Sequence, residues 1–171
     1  MNQNQFKIED IKIRRAHPSD FKEVAGLLFD LAMIHHTELP RIFKEPKPNN
    51  PLIREKFLKS VADKEFGYFV AIYENKIVGI AKASIKIREE NHHLYAKKIA
   101  NIGKLIVKKD FRNKGIGKAL MSAALDWIKS QGNVDEVELN VWEFNKSAKK
   151  FYDDLGFKVK IFKMYKENKN E

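Results

Sequence analysis

Apolar and polar residues recur along this chain with two periods, one of about two residues and one of about 3.6, and the switches between them predict its elements. Residues 11–15 (IKIRR) alternate apolar and basic positions, as a half-buried strand does. The stretch His17-Pro18-Ser19-Asp20 breaks that alternation and offers Ser19 or Asp20 as a helix N-cap. Phe21, Val24, Ala25, Leu28, Leu31 and Ala32 then follow at helical spacing, in a helix expected to fray near His35 and His36. Residues 40–51 hold four of the five prolines and read as a loop. A second short helix is expected over 53–61, with Ile53, Phe57, Leu58 and Val61 on one side.

Gly67 opens a pair of strands, 68–73 and 77–87, joined by the turn Glu74-Asn75-Lys76. The polar stretch 89–98 reads as a loop and 99–107 as another strand, interrupted by Gly103. A basic, glycine-bearing loop, 108–115, leads into a helix whose buried side carries Ile116, Leu120, Ala123, Ala124, Trp127 and Ile128 and which stops at Gly132. Val137, Leu139 and Val141 alternate as a short strand. Asn145 caps a last helix with Ala148, Phe151, Tyr152 and Leu155, ended by Gly156 as its C′ residue. Residues 157–165 alternate once more, as a final strand. The order is β–α–α–β–β–β–α–β–α–β, with no internal repeat, low-complexity segment or linker, so residues 1–171 are expected to form a single α/β domain.

Composition narrows the class. With 171 residues, 43% of them hydrophobic and 33% charged, the chain has material for one ordinary core. No apolar run approaches the roughly 20 residues of a membrane span, and residues 1–10 lack the apolar centre of a secretory signal. The absence of cysteine excludes disulfides, thiolate metal sites and a cysteine nucleophile. A cytoplasmic protein is expected. The net charge of +10 favours anionic partners. Only Arg14, Arg15, Arg41, Arg54, Arg88 and Arg112 among the 33 basic residues are arginines, however. Base readout and bidentate phosphate clamps favour Arg, so the lysines are read as a solvated surface in preference to a nucleic-acid interface.

The densest chemical signal lies at 105–118, where Leu105, Ile106 and Val107 run into a basic loop and then an amphipathic helix. Backbone N–H groups at such a helix start form a concave anion site that the helix dipole strengthens. Gly115 and Gly117 remove side chains so that a phosphate can reach the backbone, and Arg112, Lys114 and Lys118 add charge. Two glycines alone fit a tight strand–helix turn equally well. The third glycine of a dinucleotide fingerprint is missing, and so is the Gly-Lys-Ser/Thr of a P-loop.

The spacing of Arg112, Gly115 and Gly117 instead resembles the Arg/Gln-x-x-Gly-x-Gly/Ala pyrophosphate loop of the GNAT superfamily of N-acetyltransferases. The likeness extends to Ile13-Arg14-Arg15-Ala16 with Asp20, similar to the family's opening strand and cap. It extends also to Asn145, Ala148, Phe151, Tyr152, Gly156 and Phe157, similar to its C-terminal Asn-x-x-Ala-x-x-Phe-Tyr…Gly-Phe motif. The resemblance implies a GNAT-like mixed, mostly antiparallel sheet flanked by helices, and acetyl-CoA as acetyl donor. It implies direct transfer to an amine, without an acyl-enzyme. The backbone of Leu105, Ile106 and Val107 is then expected to pair with the pantetheine amides. The N–H groups of Asn113, Lys114, Gly115, Ile116, Gly117 and Lys118 hold the pyrophosphate. Asn145 contacts the pantetheine arm, and Tyr152 protonates the leaving thiolate.

Many relatives carry an acidic residue in the strand before the loop, to deprotonate the amine. Residues 99–107 contain none, and Gly103 stands at the corresponding place. The base is unassigned, with Glu89, Glu90, His92, His93 and Glu143 as candidates. The pairs His35-His36 and His92-His93 lack a carboxylate spacing that would make a metal site, and no metal is expected. The acceptor, a small molecule or a protein amine, is expected to meet residues 33–59 and the loop 89–98. The positive charge speaks against a polyamine. A homodimer, common among relatives, is a further expectation. The rival readings are a catalytically silent acyl-CoA sensor of the same fold and a basic nucleic-acid-binding module.

Overall fold

The computed structural model describes residues 6–166; residues 1–5, the first part of the polar N-terminal stretch, and 167–171 lie outside the described residues. Two compact units divide the chain, one ending at Asn140 and the other beginning at Val141. Among the described residues no helix is long and apolar enough to cross a membrane.

The first unit is built on a five-stranded sheet. Its strands are β1 (Lys12–Arg15), β2 (Phe66–Tyr73), β3 (Lys76–Arg88), β4 (Lys97–Val107) and β5 (Glu136–Leu139), adjacent in that order. All pairs are antiparallel except β4 with β5, so the sheet is mixed and mostly antiparallel, as expected. The β2–β3 hairpin closes through Glu74 and Asn75, both left-handed (φ 46° and 61°), the twist that two-residue hairpin turns require.

Helices cover both faces. On one lies α3 (Ile116–Ser130), which buries Ile116, Leu120, Met121, Ala124 and Ile128. Its approach is close: a Cβ at Gly67 would stand 2.5 Å from the Trp127 ring, so only glycine fits there without displacing the indole. On the other face α1 (Phe21–Glu38) and α2 (Pro51–Ala62) bury Val24, Leu27 and Phe57 against Tyr68, Val70, Ile77, Ile80 and Ile106. Truncating one of these fully buried side chains to Ala costs about 2–5 kcal/mol.

Four expectations are corrected. First, α1 does not fray at its histidines but continues to Glu38. The proline-bearing loop folds back to hold it there: His36 Nδ1 meets the Phe43 carbonyl at 2.8 Å, and the Phe43 N–H donates to the Leu39 carbonyl. Second, Asp20 precedes α1 without capping it. Its carboxylate instead takes a bidentate pair of hydrogen bonds from Arg14 (2.7 and 2.8 Å) and one from the His17 N–H. Third, β5 stops at Leu139, short of Val141. Fourth, residues 157–165 form no strand. Alternation fixes which side a residue faces, but a strand also needs a backbone partner, and among the described residues the sheet order ends at β5.

The second unit carries α4 (Lys146–Asp154), and here both ends match the sequence reading. Asn145 Oδ1 accepts from the Ala148 N–H at 3.1 Å. At the other end Gly156 is left-handed (φ 87°), its N–H donates to the Asp153 carbonyl, and the Phe157 N–H reaches back to the Tyr152 carbonyl. That is a Schellman stop, and the Tyr152–Phe157 ring contact (5.9 Å) is its customary apolar clasp. Lys149 with Asp153 and Lys150 with Asp154 add i, i+4 pairs on the exposed face.

The Arg14–Asp20 pair generates a stability prediction. Asp20 is only 8% exposed, and the Arg14 hydrogen bonds, opposed by burial and helped by the His17 N–H, hold its carboxyl below the usual carboxylate range. A depressed native pKa gives stability that is complete above the unfolded value, about 3.9, and is lost as pH falls towards the native one. Asp20→Asn is therefore expected to lower unfolding stability at pH 7 by about 1–3 kcal/mol. Urea melts of both proteins should show that gap closing below about pH 4.

Candidate acyl-donor and acceptor sites

β4 is paired unevenly. On the β3 side its ladder runs the whole length, from Lys97 opposite Arg88 to Val107 opposite Gly79. On the β5 side only Ile99–Ile102 are paired, with Glu136–Leu139. The break coincides with a bulge: Lys82 lies opposite Lys104 but Ala83 opposite Ile102, so Gly103 is the extra residue. Beyond Gly103 the edge of β4 that includes Leu105, Ile106 and Val107 has, among the described residues, no ladder partner on the β5 side, although it lies inside the sheet order.

That half-unpaired edge leads directly into the predicted anion loop. The Lys108 N–H still bonds to the Val78 carbonyl (2.8 Å), after which residues Lys109–Phe111 make one 3-10 turn. Asn113 and Gly115 both adopt left-handed backbone (φ 59° and 82°), the kind of backbone from which N–H nests for anions are built. Gly115 is the residue before α3, and no side chain caps the helix. The first helical bond runs from the Ala119 N–H to the Gly115 carbonyl (3.1 Å). The N–H groups of Ile116, Gly117 and Lys118 therefore have no acceptor within the helix. Ile116 itself is fully buried and anchors the turn.

Two basic side chains have structural duties besides charge. Arg112 Nε donates to the Val107 carbonyl (3.1 Å), tying the loop to the end of β4. The Lys114 ammonium sits 4.9 Å over the Phe6 ring and 5.5 Å over Phe111. Lys118 is exposed on the first turn of α3.

In the second unit Tyr152 is half-buried, with Phe151 and Phe157 edge-on at 5.4 and 5.9 Å. Burial pushes its phenol above the ordinary tyrosine value, so the proton stays on through the neutral range. Asn145 spends its side-chain carbonyl on the α4 cap. Of the candidate bases, Glu89, Glu90, His92 and His93 are exposed, and Asn91 organises their loop by accepting from the His93 and Leu94 N–H groups. Glu143 is exposed and paired with Lys146.

The strand floor of one cavity went unread in the sequence. Between α1, α2 and the sheet lies a cavity of about 290 Å³. Residues 33–59 supply His35, Phe43, Lys44, Ile53, Lys56 and Phe57 to its lining, whereas the loop 89–98 supplies nothing. Its floor comes from the strands, as Tyr68, Lys82 and Lys104. The available signal was a lone lysine in each of two otherwise apolar stretches, VGIAKASI and IANIGKLIV.

Residues 31–157 match the model of the acetyltransferase (GNAT) family, and the chain belongs to that family. An uncharacterised N-acetyltransferase of Methanocaldococcus jannaschii is 35% identical over 96 residues, covering 56% of this chain and 41% of that protein. An N-alpha-acetyltransferase of Saccharolobus solfataricus is 32% identical over 107 residues, covering 60% of this chain and 64% of its own length. The chain thus spans less than two thirds of either relative. Among solved structures, a mutant of the BH1408 protein of Bacillus halodurans shares the fold at TM-score 0.86 and 27% identity, covering 92% of this chain and 99% of that one.

The uncapped helix start makes a direct prediction. If the loop is a phosphate site, acetyl-CoA should raise the melting temperature, and Gly117→Glu, which places bulk and negative charge at the helix start, should abolish that rise. Calorimetric affinity equal to that of the unmodified protein would show that the loop is not the phosphate site.

Proposed function

We propose that this protein is an N-acetyltransferase that passes the acetyl group of acetyl-CoA directly to an amine while both are bound. The observation that carries the proposal is the unpaired β4 edge beyond Gly103, continuous with the uncapped start of α3. An unpaired strand edge suits an amide-bearing arm, and a nest of N–H groups suits a diphosphate; pantetheine and the CoA diphosphate offer these in the same order. Acetyl-CoA bound there supplies a thioester already activated towards amines.

On this reading the backbone of Leu105, Ile106 and Val107 holds the pantetheine amides. The N–H groups from Asn113 to Lys118 hold the diphosphate, with Arg112 beside them, and Asn145 meets the arm. Tyr152 donates its phenolic proton to the sulfur as the C–S bond breaks, which the raised pKa supports by keeping that proton in place. The nucleophile must be a neutral amine. β4 offers no carboxylate and Gly103 no side chain, so the amine's proton passes to water, directly or through a water held by a loop residue.

Three measurements test this. Initial rates with both substrates varied should give intersecting double-reciprocal lines; parallel lines would signal a covalent acyl-enzyme. Tyr152→Phe, which keeps the ring, should reduce turnover roughly 10²–10⁴-fold with acetyl-CoA affinity retained. The rate at saturating acetyl-CoA should keep rising with pH towards the amine's own pKa. A plateau beginning near neutrality, or a thousandfold loss on replacing one of Glu89, Glu90, His92, His93 or Glu143, would identify a dedicated base. Acetyl-CoA binding with no CoA release from any amine would leave a silent acyl-CoA binder.

A further inference from the structure

The cavity facing α1 and α2 is unusual in its charge. Tyr68, Lys82 and Lys104 lie directly opposite one another on three adjacent strands, Tyr68 facing Lys82 and Lys82 facing Lys104. Like charges in directly opposed cross-strand positions destabilise a sheet. The bulge creates this arrangement. Ala83 and Lys82 point to opposite faces, so their partners Ile102 and Lys104 do too, although they are only two residues apart. Without Gly103 as the extra residue, Lys104 would share a face with Ile102.

The walls add to the positive charge. The titratable side chains around the cavity are His35 from α1, Lys44 from the loop, Lys56 from α2, Lys82 and Lys104 from the floor, and the Tyr68 phenol. No carboxylate lines it, in a chain with 23 acidic residues. Lys82 Nζ donates to Ser60 Oγ at 2.8 Å, and Ser60 is itself buried. Among the described residues the Lys104 ammonium has no hydrogen-bond or ion-pair partner. Burial, and then the neighbouring lysines, lower the pKa of both Lys82 and Lys104. A protein that keeps four lysines around one small cavity with no carboxylate in its lining leaves the counter-charge to a ligand.

We propose that this cavity receives the acceptor and that the acceptor is a small amine bearing a carboxylate, which Lys104 and Lys82 hold with Lys56 beside them. The inference rests on the acetyltransferase reading. It ties in through β4, because Lys104 on the cavity floor is the immediate neighbour of Leu105, where the unpaired donor edge runs. At about 290 Å³ the cavity suits a molecule or side chain of amino-acid size. A cationic chain such as a polyamine meets only like charge there.

The test compares amines of nearly equal length and basicity: 4-aminobutyrate, butylamine and 1,4-diaminobutane, each followed by CoA release. The expected order of kcat/KM is carboxylate, then neutral, then diamine, with roughly 10–100-fold between the first two, the size of a charge-assisted hydrogen bond. Lys104→Glu should reverse the order, placing the diamine ahead of 4-aminobutyrate. Lys104→Gln should mainly raise KM for 4-aminobutyrate. The acetyl-CoA-induced melting shift of each variant reports that the fold and donor site are intact. Glutamate against an aspartyl-alanine amide shows whether the carboxylate belongs to a free amino acid or to an acidic first residue of a peptide.

Turnover of all three amines at equal efficiency, or preference for the diamine by the unmodified protein, overturns the cavity assignment and leaves the acetyltransferase reading standing. An unchanged order in Lys104→Glu overturns it equally. Absence of CoA release from every amine overturns the enzymatic reading, and this inference with it.

Discussion

Backbone hydrogen bonding along β4 is the constraint from which the first unit's chemistry follows. A strand inside a sheet has two edges to satisfy, and β4 satisfies one completely and the other only as far as Ile102. An unpaired inner edge is costly unless water or a ligand takes up its N–H and C=O groups. The single extra residue at Gly103 ends the β5 ladder, rephases the side chains that follow and directs Lys104 to the cavity side. One local irregularity thus prepares an edge suited to an amide-bearing donor and charges the place proposed for its acceptor.

The loop after β4 extends the same logic. Left-handed residues at Asn113 and Gly115 lead into α3, whose first N–H groups have no side-chain cap. α2 is capped by Asn50 and α4 by Asn145, each through a side-chain carbonyl. α1 also starts without a side-chain cap, but only α3 starts on a left-handed glycine that follows a strand edge left unpaired on its β5 side.

Charge is distributed to different ends. Some surface lysines are matched with nearby acids, as in Lys149–Asp153, Lys150–Asp154 and Lys129–Asp126, and such exposed pairs add little stability. The Arg14–Asp20 fork is partly buried and structural, fastening β1 to the start of α1. Lys82 and Lys104 belong to neither group. They stand in a poorly solvated place whose lining has no carboxylate, which is why they, rather than the overall +10, speak to the ligand.

The sequence by itself determined what depends on near neighbours. Period gave most of the helices and strands, Asn145 and Gly156 gave both ends of α4, and the motifs at 13–20, 105–118 and 145–157 together gave the family. These are decided within one or two turns of chain, where residue chemistry and backbone geometry are directly linked. Tertiary structure alone decided the rest. Whether Asp20 caps α1 or grips Arg14 depends on where β1 lies. Whether 157–165 becomes a strand depends on a free partner edge, which alternation does not encode. The row Tyr68–Lys82–Lys104 joins residues up to 36 positions apart through ladder register, and the bulge that aligns it is one glycine whose effect appears only once three strands are paired.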